Sequence, residues 1–245
     1  MRSSVAVFVI AAAIGGFAMK ARASDRLLKG YGITETGLTP LYPEGYKCSP
    51  LTSLYASWTD VDGSARDEPH SGVDGGRLGE PLLAPGPGMV VSAWLADWGW
   101  GDEGALLIQH SRNELNLTGG SPYYYSAFYH LRYDDVAHYK PGQKIARGQE
   151  LARIYRPGGK KRYLPEVHWE VWETGPEVTL RWTQNKYGRP DWIDHTAALI
   201  DPLYLLSREL PPDEKLRVAI TPFEAGQDYT RFRGFTYILP CERKG

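Results

Sequence analysis

Strand-length runs punctuated by glycine and proline leave this chain little choice of fold class. Between about Leu51 and Leu206 they read GMVVSAWLA, GALLIQHS, YYYSAFYHL, QELARIY and EVHWEVWE, with turn residues between them. Short strands at that spacing predict an antiparallel β domain, because tight turns join antiparallel neighbours whereas parallel ones need long crossovers. Helix-like windows are few. The clearest, DHTAALIDPLYLLSREL, is interrupted by Pro202, which has no N–H to give to a helix.

Ahead of this region, MRSSVAVFVIAAAIGGFAMKARAS combines a basic start, an apolar run from Val5 to Met19 and the small-x-small sequence Ala21-Arg22-Ala23. That order predicts a secretory signal cut after Ala23, and the run falls short of the ~20 residues of a membrane helix. The expected organisation is a signal peptide at 1–23, an N-terminal arm at 24–50, a β domain at 51–206 and a C-terminal extension at 207–245. The mature chain is then expected outside the cytoplasm, periplasmic or extracellular, with no stable membrane span. Once the signal is gone, the 29 acidic residues outnumber the basic ones, which argues against nucleic acid as a partner. The two cysteines, Cys48 and Cys241, lie near opposite ends of the mature chain. An oxidising compartment favours their pairing, with two free thiols as the alternative.

Three polar elements carry the chemistry. In EPHSGVDGG, His70 and Asp74 are four residues apart and share a side of either a strand or a helical turn. In FYHLRY, strict alternation places His130 with Phe128 on one strand face and Tyr129 with Leu131 on the other. In PEVHWEVWE, the same period sets Glu166, His168 and Glu170 on one face and Val167, Trp169 and Val171 on the other. One face is polar and the other packs. Two histidines and a carboxylate drawn from such elements form a ligand set that suits zinc and leaves a fourth position for water.

The order of these motifs resembles the lysostaphin-type, LytM-like family of peptidoglycan metalloendopeptidases, over a frame from roughly Pro69 to Leu205. HSGVD matches its His-x-Gly-x-Asp signature, GEPLLAPGPGMVVSA its Gly-x-Pro strand pair, and FYHL its Tyr-x-His-Leu. KPGQKIARGQELARI matches its doubled Gly turn, EVHWEV stands where the family writes His-Leu-His-Phe-Glu, and IDPLYLL is like its closing segment. The resemblance implies a mainly β, duplicated hybrid-motif fold with N- and C-terminal extensions, in a bacterial cell envelope. It also implies one Zn2+ per chain held by His70, Asp74 and His168, with His130 as one of two catalytic histidines. The other catalytic position holds Glu166.

A glutamate there can accept a proton but, when ionised, cannot donate a hydrogen bond to an oxyanion. The expectation is a zinc-dependent endopeptidase in which Glu166 is the base or orients the water and His130 is the donor, with Tyr129 helping to bind the substrate. The alternative is that Glu166 becomes a fourth ligand, or marks a non-catalytic wall-binding or amidase-regulating module. Two flanking loops are expected to line a groove for peptidoglycan peptides: one with Trp98 and Trp100, the other with Lys160, Lys161 and Arg162. For an amidase regulator the partner would be a cell-wall amidase. His110, His138 and His195 are expected to be structural, His110 with a second role in supporting a ligand.

Overall fold

The computed structural model describes residues 33–96, 103–156, 164–174, 181–184, 190–193, 197–206 and 216–245. The arm contributes β1 (Thr39–Leu41) and β2 (Tyr46–Cys48). The central region follows with β3 (Leu51–Ser53), β4 (Val73–Gly75), β5 (Pro81–Leu83), β6 (Gly88–Ala96), β7 (Glu103–Ser111) and β8 (Tyr123–Arg132). After the single-turn helix Tyr133–Val136 come β9 (Lys144–Ile145), β10 (Glu150–Arg153), β11 (Val167–Thr174), β12 (Arg181–Gln184), β13 (Pro190–Ile193) and β14 (Ala198–Ile200). A second short helix, Leu203–Leu206, precedes β15 (Arg217–Ala219) and β16 (Cys241–Arg243).

The fold is mainly β and its main sheet is antiparallel throughout. Its strand order is β3-β4-β11-β8-β7-β6-β9, with β14 also paired to β11. All five sequence runs fall on strands. Alternation decides what each face meets. Leu106, Ile108, Tyr124, Phe128, Val167, Trp169 and Val171 enter the large core, where β5, β10 and the tail cover them. The opposite face gathers Trp94, Ala105, Leu107, Tyr125, Ala127 and Tyr129 into a smaller cluster.

One expected facing is overturned. Leu131 joins Phe128 in the large core rather than Tyr129 on the other side. The cause is a bulge: Leu106 pairs with Phe128 and Gly104 with Leu131, so Tyr129 and His130 together oppose a single residue of β7. Two residues against one reverse the alternation from that point on. His130 itself takes a left-handed backbone with φ of 59°.

The arm and the tail are joined to each other at both ends of the tail. β1 runs parallel to β15, while β2 pairs antiparallel with β16 and a disulfide links Cys48 to Cys241. Closing a loop with a sequence separation of 193 stabilises the fold by ~5 kcal/mol at most in the chain-entropy account. The tail run FRGFTYIL has the composition of a strand but makes no ladder. Phe235 N–H donates to Leu205, Thr236 to Pro85 and Tyr237 to Thr221, three different segments. Phe235, Tyr237, Ile238 and Leu239 are nonetheless buried, so the tail acts as a plug on the core. Among the described residues no helix is long and apolar enough to cross a membrane.

Candidate metal centre

Register builds the site. His168 of β11 lies directly opposite Asp74 on one side and Tyr129 on the other. Its neighbours Val167 and Trp169 point into the core, so His168 and Glu170 project from the opposite face. His70 arrives from the segment before β4, which presses so close to β11 that a Cβ on Gly72 would lie 2.3 Å from the Trp169 carbonyl oxygen. Only glycine fits there, which gives the glycine of HSGVD a packing reason.

His70, Asp74 and His168 converge. His70 Nε2 is 3.0 Å from Asp74 Oδ1 and 3.0 Å from His168 Nδ1, and His168 Nδ1 is 2.8 Å from the same Asp74 oxygen. Their side chains are only 3%, 7% and 12% exposed in the order His70, Asp74, His168. Among the described residues this is the one group of three such side chains able to share an ion.

The atoms behind each ring fix which nitrogen faces the centre. His70 Nδ1 lies 3.0 Å from the Leu54 carbonyl oxygen, which can only accept, so Nδ1 carries the proton and Nε2 the lone pair. Ser53 Oγ stands 3.1 Å from the same nitrogen. His168 Nε2 donates to Glu170 Oε1 at 3.3 Å, leaving its Nδ1 lone pair toward Asp74. Glu170 is held in turn by the Trp172 indole N–H at 2.9 Å. With both rings neutral, two imidazole lone pairs and a carboxylate oxygen meet with no donor among them, so the arrangement calls for a cation, either a proton or a metal ion. A tetrahedral zinc with bonds of about 2.0–2.1 Å holds ligand atoms about 3.4 Å apart, so the donor set fits that ion after an expansion of a few tenths of an ångström.

Electrostatics point the same way. Burial alone would lower the His168 pKa, but hydrogen bonds and charges from Asp74 and Glu170 outweigh it and raise it to about 10. Burial would raise Asp74, yet its bonds to His168 and His70 hold it well below the usual carboxylate range. The Asp74 carboxylate that stabilises a proton on His168 is the one that would stabilise a metal ion in its place. Arg66 Nη2 donates to the second Asp74 oxygen at 3.2 Å and also reaches Asp60 and Ser53, so only Oδ1 is left for the centre.

The residues expected to handle protons and substrate stand beside this group. The His130 ring lies 6.2 Å from the His168 ring, centroid to centroid, and Tyr129 lies 5.7 Å from it. Glu166 precedes β11 and is half-buried. Burial and the charge of Asp74 raise its pKa to about 7, against the pull of His130 and His168. His110 does not support a ligand: it is fully buried, its Nδ1 donates to Pro87 and its Nε2 meets Ser126 Oγ. Burial lowers its pKa to about 4. The carbonyl of Leu54 and the carboxylate of Glu170 do the supporting instead.

Trp98, Trp100, Lys160, Lys161, Arg162 and His195 lie outside the described residues, as does the expected signal peptide at 1–23. Four residues in contact with these side chains had no assigned role in the sequence: Leu54, Arg66, Glu103, whose Oε1 lies 2.9 Å from His130 Nδ1, and Glu170. Only Glu170 left a trace there, two residues after His168 on the same strand face.

No protein-family model matches the chain, and no curated protein does. Solved structures similar to it include a zinc-containing peptidase from Vibrio cholerae, with 25% identity and a TM-score of 0.35 over 53% of this chain and 34% of that one. The catalytic domain of the prophage-encoded M23 protein EnpA from Enterococcus faecalis shares 19% identity with a TM-score of 0.35, over 59% and 93%. The catalytic domain of lysostaphin from Staphylococcus simulans shares 20% with a TM-score of 0.32, over 55% and 84%. The chain thus spans about a third of the length of the Vibrio peptidase.

Proposed function

We propose that this chain is a zinc-dependent endopeptidase acting on peptide bonds of peptidoglycan, working in the periplasm or outside the cell. The observation that carries the reading is the meeting of His70 Nε2, Asp74 Oδ1 and His168 Nδ1 within 3.0 Å of one another, each backed by a group that turns its lone pair inward. The ordered motifs from HSGVD to IDPLYLL supply the substrate class.

Zinc held by these three residues would supply a Lewis acid and lower the pKa of a water toward ~7. The protein's own groups then divide the labour. Glu166 accepts the proton of the attacking water and passes it to the leaving amine. The raised Glu166 pKa suits a group that must both take and return a proton near neutral pH. His130 donates a hydrogen bond to the carbonyl oxygen as negative charge develops on it, which an ionised Glu166 cannot do. Tyr129 lines the same edge and the buried walls around Asp74 limit access of bulk water.

The second reading, a non-catalytic wall-binding or amidase-regulating module, draws on the glutamate at position 166. Cleavage of soluble peptidoglycan peptides by the zinc-loaded mature chain separates the two. Glu166→Ala is expected to lose about 100-fold or more in kcat, in the range of a general base, while binding peptide comparably. Equal product formation by the wild type and His70→Ala, or peptide binding with no turnover, would overturn the enzyme.

A further inference from the structure

Glu103 is a buried carboxylate with one described partner. It opens β7, is 0% exposed, and its Oε1 lies 2.9 Å from His130 Nδ1, while its Oε2 has no hydrogen-bond partner among the described residues. A carboxylate buried with a single partner among the described residues is costly to desolvate, and packing alone does not explain it. The residue it meets is unusual too. His130 sits in a bulge with positive φ, a conformation that strains a non-glycine residue.

Both costs fall at one point, and the local sequence enforces it. Gly104, next to Glu103, lets β7 approach the helix Tyr133–Val136 so closely that a Cβ would lie 2.6 Å from Val136 Cγ2 and 2.8 Å from Tyr133 Cα. That helix begins immediately after β8 and fixes where the strand ends. β7 therefore places Glu103 opposite Arg132, and the extra residue of the bulge brings the His130 ring back onto the Glu103 carboxylate. The same ring stands 6.2 Å from His168.

From this geometry we infer that Glu103 is a positioning residue for His130: it accepts the Nδ1–H, holds the ring in one tautomer and orientation, and aims Nε2 at the substrate. This rests on the reading of His130 as a proton-handling residue, and it adds an anchor on a different strand. The logic is that of a base held by a third, buried group, in which wrong tautomer or orientation costs rate without changing the reacting atoms. It also gives the bulge a purpose, since a regular β8 would turn position 130 into the core with Phe128.

The test reads the ring itself. In 15N-labelled chain, both metal-free and zinc-loaded, His130 in its neutral form is expected to be the Nδ1–H tautomer. Glu103→Met, of similar volume and without an acceptor, should fold but populate both tautomers; Glu103→Gln, which keeps a carbonyl acceptor, should restore most of the Nδ1–H form. Zinc content should stay unchanged in both. Where peptide turnover is measurable, Glu103→Met should lower kcat by about 10- to 100-fold with KM within about two-fold, and Glu103→Gln should recover part of it. An Nε2–H tautomer in the wild type, or an unaltered tautomer in folded Glu103→Met, would overturn the assignment. A chain that cleaves nothing but shows the tautomer shift would reject the peptidase and keep the Glu103–His130 pair.

Discussion

Asp74 and His168 face each other across two regular strands, whereas His130 comes to the same place only because β8 breaks its ladder. The donor set relies on register: once β4 and β11 pair, the two ligands are opposite, and Gly72 allows His70 to close in. The other side of the site relies on irregularity, with His130 on a bulge, Glu103 at a strand start and Glu166 just ahead of β11. Regular pairing suits residues that must stay fixed around an ion. Bulges and strand ends suit side chains that must be aimed independently of the sheet's alternation, at a cost in backbone strain.

The comparison can be broken by asking whether the two sides separate. His168→Ala removes a donor and is expected to abolish stable zinc retention, to less than about 0.1 per chain after dialysis, because two donors rarely hold the ion. His130→Ala should keep one zinc per chain and lose turnover. Elemental analysis of both variants checks this, and equal metal loss in the two would merge what is here divided. A smaller effect sharpens the donor side. Arg66→Ala frees the second Asp74 oxygen and should weaken zinc by about 10- to 100-fold, as removal of an outer-shell partner does. Chelator competition measures it; an unchanged affinity would make Arg66 only a tether of its own loop through Asp60, Thr59 and Ser53.

The same division explains what was legible in the sequence. Period two in EVHWEVWE gave the correct faces for Val167, His168, Trp169 and Val171, since a strand with one buried face cannot slip by a residue without burying its polar set. Period two failed at FYHLRY because a bulge leaves no mark in hydrophobic alternation: Leu131 is apolar on either face. The tail run FRGFTYIL has strand composition but is shared among three partners, a matter of tertiary context. Leu54 contributes through a carbonyl, which every residue has, so no side-chain pattern could announce it. Glu103 stands 27 residues from His130, and only the pairing of β7 with β8 brings them together.

X-ray absorption at the zinc edge of the purified, zinc-loaded chain tests the central claim most directly. Nitrogen and oxygen scatterers alone are expected, at about 2.0–2.1 Å and with outer-shell features of two imidazoles, reduced to one or lost in His168→Ala. A spectrum with sulfur ligands, or one unchanged by His168→Ala, would show that the ion sits elsewhere and would contradict a centre made by His70, Asp74 and His168.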